Sequence, residues 1–211
     1  MKKIDAFIEQ LSLSLKNPLP GAGSQSKMAP GIRLDANNDH YKNAAVLILL
    51  YLKEGKWHLV LMKRPEYPGV HSNQVSLPGG IHEPYDPDLS ETALRESKEE
   101  LGIDDRKILI LGHLSKLEIP ASGIEVSPWV GVYPETPVFN PSFEEVSYLI
   151  EVPLKELLSQ ESVEEEIRTI LCKIVKVPFF KFGEEKVWGA TAMILSEFND
   201  VIRNLEGVDL L

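Results

Sequence analysis

The chain has 211 residues, 43% of them hydrophobic and 26% charged, which suits one globular domain with a sizeable core, or one domain with a small extension. A net charge of −10 provides no basic footprint for a nucleic-acid backbone, although bound cations can invert a local field and admit anionic substrates. The single cysteine, Cys172, excludes an intrachain disulfide and fits a reducing compartment, so a cytoplasmic location is expected; no apolar run is long enough to span a membrane, so no membrane partner is expected.

At the N-terminus, Ile4, Phe7, Ile8, Leu11 and Leu15 recur at helical spacing around Asp5, Glu9 and Gln10. This predicts an amphipathic helix over about residues 2–16 rather than a signal peptide. Residues 17–39 are rich in Pro, Gly, Ser and Asn and read as an irregular loop. Residues 1–41 are therefore expected to be a helix and loop packed on a main domain spanning 42–211.

Ala44 to Leu52 is a near-continuous apolar run and reads as a buried strand. Glu54-Gly55 predicts a turn, with Trp57 to Met62 returning as its partner. Gln74 to Leu77 reads as a short strand leading into Pro78-Gly79-Gly80. Further strands are expected over Lys107–Leu117, Val126–Val132, Glu145–Glu151 and Arg168–Val177, the last continuing through Phe179–Phe182. In that reading Cys172 is a buried thiol within a strand. Pro153-Leu154 opens a short helix, and Val187 begins a final helix buried through Ile194, Leu195, Phe198, Val201 and Ile202, with Thr191 as its cap. Strands with interspersed helices predict an α/β layered fold.

The chemistry concentrates in residues 79–103. Asp88 followed by Glu91 has the form of a capping box, and Gly102 after Leu101 is a natural helix stop. Ala93, Leu94, Ser97 and Leu101 make the buried stripe of the helix between them. At about 100° per residue, Glu96, Glu99 and Glu100 share one arc beside that stripe. Such an arc is either a solvated face or a site for a hard cation such as magnesium or manganese. The glycine pair upstream favours the second, because it lets backbone approach a ligand. The histidines His40, His58, His71, His82 and His113 show no H-E-x-x-H spacing, which argues against a zinc hydrolase.

The segment resembles the Nudix box, G-x5-E-x7-R-E-U-x-E-E-x-G-U, where U is a bulky apolar residue. Arg95-Glu96-Ser97-Lys98-Glu99-Glu100-Leu101-Gly102-Ile103 matches its second half, with Ser97 at the first apolar position. Gly80 lies one residue further from Arg95 than the general pattern allows, and Pro87 replaces the early Glu. Both departures resemble the coenzyme A diphosphatase branch of the family, as do Asp86-Pro87-Asp88, Thr92-Ala93-Leu94-Arg95-Glu96 and Trp188-Gly189-Ala190-Thr191-Ala192. A second motif of that branch, L-L-T-x-R-S-x3-R-x3-G-x3-F-P-G-G, matches at Leu61, Arg64, Pro78, Gly79 and Gly80, and departs at Met62, Pro65, Gly69, Asn73 and Leu77.

The resemblance implies a Nudix-type α/β/α sandwich with a central mixed sheet. It implies hydrolysis of a diphosphate bridge in a nucleoside diphosphate derivative, assisted by Mg2+ or Mn2+. By motif position, Glu96, Glu99, Glu100 and the Gly80 carbonyl would hold metal, and Arg95 would orient Glu99. The catalytic base would be a box glutamate such as Glu99, or Glu145 from a later loop. Arg64, His71 and Gln74 would contact substrate; Arg64 reads equally as a solvated strand end. Coenzyme A or an acyl-CoA leads as substrate, with 4'-phosphopantetheine and adenosine 3',5'-bisphosphate as products. ADP-ribose, NADH or another nucleoside diphosphate is the alternative, and Gly69, where the branch carries Arg, weakens the coenzyme A reading. A nucleotide-binding module without turnover and a ligand-free acidic surface are the readings from other classes. Relatives that pair suggest a homodimer.

Overall fold

The computed structural model describes residues 2–31, 41–68, 72–170 and 172–205. It is an α/β/α sandwich around a mixed sheet of eight strands, with a second, three-stranded antiparallel sheet alongside. In chain order the helices are α1 (Lys2–Ser14), α2 (Ala22–Gln25), α3 (Leu89–Leu101), α4 (Leu154–Leu157) and α5 (Gly189–Arg203). The strands of the large sheet are β1 (Lys42–Lys53), β2 (Lys56–Lys63), β3 (Val75–Ser76), β4 (Gly79–Ile81), β5 (Leu109–His113), β6 (Leu117–Ile119), β7 (Ile124–Val132) and β8 (Tyr148–Pro153). The small sheet holds β9 (Val163–Ile170), β10 (Lys173–Phe182) and β11 (Glu185–Trp188).

The apolar run in β1 is buried on both faces, as its composition requires. Ala45, Leu47, Leu49 and Tyr51 point to one side and pack with Ala93 and Leu101 of α3. Ile48 and Leu50 point to the other and join Phe7 and Leu11 of α1 with Leu195 and Phe198 of α5. Period-two alternation thus assigns one helix layer to each face. β1 runs parallel to β7 from Lys42↔Ile124 to Leu50↔Val132, whereas its other neighbours are antiparallel.

β1 and β2 separate after a tight hairpin at Glu54-Gly55, where both residues take positive φ (52° and 74°). Into the opened gap come β4, paired to β1 through Ala45↔Gly80, and β3, paired to β2 through Met62↔Ser76. The glycine pair is therefore fixed at the middle of the sheet, beside α3.

Several elements differ from the sequence expectation. Residues 22–28 form α2 and a 3-10 turn rather than irregular loop; polar side chains on α5 hold them, as described below. Lys107–Leu117 divides into β5 and β6, with a register shift between Ile110 and Gly112 inside β5. The strand expected across Cys172 is a hairpin: Cys172 has φ 61° at the turn between β9 and β10 and is exposed, not buried. Val187 and Trp188 belong to β11, so the last helix starts at Gly189, and Thr191 does not cap it. Glu145 precedes β8 in a turn rather than lying within the strand.

Candidate active site

Helix α3 presents the carboxylates, and its ends are set locally. Asp88 Oδ1 accepts hydrogen bonds from Ser90 N (2.8 Å) and Glu91 N (3.1 Å), satisfying donors that the first turn leaves open. Gly102 closes the helix at φ 66°, with its N–H donating to Lys98 O. Ser97, at the position where the box has an apolar residue, is fully buried and returns its hydroxyl to Ala93 O at 2.7 Å.

Glu100 is the most enclosed of the α3 carboxylates, at 2% exposure. Its Oε2 accepts a 2.7 Å hydrogen bond from Gly79 N, and its Oε1 lies 3.6 Å from Arg64 Nη2. Burial pushes its pKa up to about 8; Arg64 and the Gly79 amide oppose the rise, and the charges of Glu96 and Glu145 add to it. Glu96 is raised for the same first reason, burial, with Arg95 opposing and Glu99 and Glu145 reinforcing. Like charges therefore converge on one place without enough cation to balance them.

That place is the Gly79-Gly80 turn. Gly79 has φ 147°, and a Cβ there would sit 2.2 Å from Ala45 O, so no side chain is tolerated. At Gly80 the obstacle is functional: a Cβ would lie 2.5 Å from the Glu96 carboxyl. The missing side chain leaves backbone and carboxylate face to face.

Arg95 organises the outer side. It makes a bidentate pair with Asp86 (Nε–Oδ1 2.9 Å, Nη2–Oδ2 3.0 Å) and also donates to Glu96 (2.8 Å), Glu99 (3.2 Å) and Ile81 O (3.1 Å). The expected contact with Glu99 is present, but it is one of several and Asp86 is the principal partner. Asp86 also accepts from Glu83 N and the Thr92 hydroxyl. The Arg95 guanidinium, first among these, holds the Asp86 carboxyl far below the usual carboxylate range. Sequence reading missed Asp86 as Arg95's anchor; the only signal was an Asp preceding Pro87 beside the helix start.

Glu145 is brought in by the loop before β8. Asn140 N donates to Leu101 O (2.9 Å) and Ser142 N to Glu100 O (3.1 Å), tying that loop to carbonyls at the end of α3. Val146, fully buried, anchors the next residue. Glu145 thereby lies near enough to Glu96 and Glu100 for its charge to raise both. Glu99 is the outlying member, its side chain 53% exposed. Among the described residues no three such side chains are already drawn into a metal-binding cluster: Glu96 and Glu99 are held by Arg95, and Glu100 by Gly79 N.

Arg64, at the end of β2, reaches the site from the opposite side, with Nη2 3.4 Å from Gly79 O. Its backbone N–H bonds Gln74 O at 2.9 Å, which places Gln74 beside it. His71 lies outside the described residues.

A family model described as the NUDIX domain matches residues 41–177. Among curated proteins, the chain is 35% identical over 168 residues to an uncharacterized Nudix hydrolase, NudL, of Photorhabdus laumondii, covering 80% of this chain and 87% of that protein. It is 36% identical over 157 residues to the Nudix hydrolase NudL of Yersinia enterocolitica, covering 74% of this chain and 71% of the relative. Among solved structures, a MutT/nudix family protein from Enterococcus faecalis superposes with a TM-score of 0.54 at 16% identity, over 94% of this chain and 75% of that one. The fold, the glycine turn facing α3 and these matches agree: the chain belongs to the Nudix hydrolase family.

Proposed function

We propose that this enzyme hydrolyses the diphosphate bridge of coenzyme A or an acyl-CoA, releasing 4'-phosphopantetheine and adenosine 3',5'-bisphosphate. The observation that carries the chemistry is the meeting of two buried carboxylates at the Gly79-Gly80 turn: Gly79 N binds Glu100 at 2.7 Å and only an absent Cβ separates Gly80 from the Glu96 carboxyl, with Glu145 near enough for its charge to act on both. The donor set is hard oxygen, and the absent Cβ at Gly80 leaves space beside Glu96, so these residues fit Mg2+ or Mn2+. Glu96, Glu99, Glu100 and the Gly80 carbonyl would hold the ion. When bound, it supplies neutralisation of phosphate oxygens and acidification of water.

The chain's own groups account for the rest. Arg95 is a positioning residue: anchored on Asp86, it sets Glu96 and Glu99. Glu145, or alternatively Glu99, takes the proton from attacking water at a carboxylate oxygen. Arg64, beside Glu100, binds a phosphate oxygen of the substrate, for which a guanidinium is suited, and Gln74 and His71 complete the substrate contacts in this reading. The bond broken joins the bridging oxygen to the attacked phosphorus, and the other phosphate leaves with that oxygen.

The coenzyme A assignment is supported by the Leu61, Arg64 and Pro78-Gly79-Gly80 pattern in this chain. ADP-ribose and NADH are the competing substrates. Product analysis after parallel incubation with coenzyme A, ADP-ribose and NADH, each with Mg2+ or Mn2+, decides among them: faster release of 4'-phosphopantetheine than of AMP is the expected result, and the reverse order overturns it. The cytoplasmic location and the homodimer belong to this reading as well; the structure contributes only that no described helix is long and apolar enough to cross a membrane.

A further inference from the structure

A polar cleft of about 410 Å³ lies between the end of β2, β3 and the small sheet. Lys63, Gln74, Arg168, Glu185, Lys186 and Trp188 contribute to its lining. It abuts the acidic site through one pair of neighbours: Gln74 lines the cleft, and its carbonyl accepts from Arg64, whose guanidinium stands 3.6 Å from Glu100. Spanning both places takes a ligand longer than a diphosphate.

The cleft has a flat wall. The Arg168 guanidinium lies over the Trp188 ring, 4.2 Å from its centroid. Its Nε is bound to Glu166, which also takes Lys186, and both Nη groups have no partner among the described residues. The Arg168 side chain keeps 29% exposure, so the guanidinium plane is held in place yet reachable from the cleft.

Charge decides what such a wall would take. Lys63, Arg168 and Lys186 stand against Glu166, Glu184 and Glu185, three cations against three carboxylates. A second phosphate gains little from a balanced site. A neutral heteroaromatic ring gains from a planar cation–indole surface and from a rim offering both donors and acceptors. We infer that this cleft seats the nucleobase of the substrate, with Arg168 on Trp188 as its stacking surface and specificity determinant. The inference rests on the nucleoside diphosphate reading above and specifies where the nucleoside end lies.

The test is a metal-free titration with AMP, following tryptophan fluorescence, with ribose 5-phosphate as the base-free comparison. The wild type should show saturable quenching by AMP and at least about tenfold weaker binding of ribose 5-phosphate. Arg168→Ala should weaken AMP binding at least about tenfold, and Arg168→Lys, which keeps the charge but loses the plane, should do the same. In turnover both variants should raise KM by a similar factor with kcat nearly unchanged. No saturable AMP binding, equal affinity for ribose 5-phosphate, or wild-type affinity in Arg168→Lys would each overturn the inference. Glu100→Gln separates the two claims: without a negative charge beside Arg64 it should bind AMP no more weakly than the wild type, and full turnover in that variant would count against the cation site while leaving the cleft assignment standing.

Discussion

At the scale of single residues, the site depends on two atoms that are absent and one carboxylate that an arginine holds well below its usual range. Gly80→Ala places a methyl group against the flexible end of Glu96, so the fold should survive while turnover drops at least about tenfold, as expected when metal and water are displaced from productive geometry. Gly79→Ala meets backbone instead, at φ 147°, and should fail to give folded protein; circular dichroism and rates on both variants check the contrast. Asp86, with 3% side-chain exposure, is the partner that makes Arg95 rigid. Asp86→Asn should cost roughly 2 kcal/mol in urea unfolding at neutral pH, because it weakens two charge-assisted hydrogen bonds to a partly buried guanidinium that keeps only Glu96 and Glu99. The sign with pH follows from linkage. A carboxyl held low in the folded state contributes stability that is complete above its unfolded value, near pH 4, and is lost as pH falls toward its folded value. The gap between wild type and Asp86→Asn should therefore narrow below about pH 4; a gap that widens in acid would contradict the assignment.

At the scale of elements, α3 was legible because everything that defines it is local: a cap, a stop, a stripe and an arc of glutamates within fourteen positions of one another. Strand β1 was legible for a similar reason, its apolar run being long enough to bury both faces. The β9–β10 hairpin was not. Its turn lacks the Gly, Pro or Asn that normally marks a reversal, and Cys172 takes the left-handed conformation instead. The position of Glu145 was legible only through resemblance, since a contact between the loop at 140–146 and the end of α3 has no periodic signature.

Residues 21–28 were unreadable because their structure is imposed by α5. Glu197, with no exposure, accepts from Gly21 N (3.1 Å), Ser115 N (3.2 Å) and Gln25 Nε2 (2.9 Å). Ser196 donates to Ser24 O, and Asp200 holds Ser24 and Lys27. Glu197→Ala removes the shared acceptor of one buried and two partly buried donors, of which Gln25 Nε2 keeps Ser115 O, and should cost roughly 2 kcal/mol or more. Amide exchange should show protection lost first over residues 21–28 and at Ser115; uniform loss across the whole chain, or none, would contradict a local clasp.

At the scale of the whole molecule, the sheet places a repulsive cluster where its own chain cannot neutralise it. Burial raises the ion-free Glu100 carboxyl to about 8, so its ionisation lowers the stability of the ion-free fold as pH rises toward that value. A bound divalent cation reverses this cost, and binding that prefers the folded state adds stability by mass action. Ion-free Glu100→Gln should consequently melt no lower than the wild type at pH 8, because the neutral amide can still accept from Gly79 N, while losing the stabilisation that Mn2+ confers on the wild type. Higher stability with lost function would mark Glu100 as a residue kept for its charge.

The most direct test is a Mn2+ titration read from the electron paramagnetic resonance of the free ion, comparing wild type with Glu100→Gln at equal protein concentration. The wild type should deplete the free signal, and the variant should bind at least about tenfold more weakly, as loss of a principal carboxylate ligand implies. Equal depletion by the two proteins, or none by the wild type, would contradict the claim that the carboxylates facing the glycine turn grip the cation used to break a diphosphate bridge.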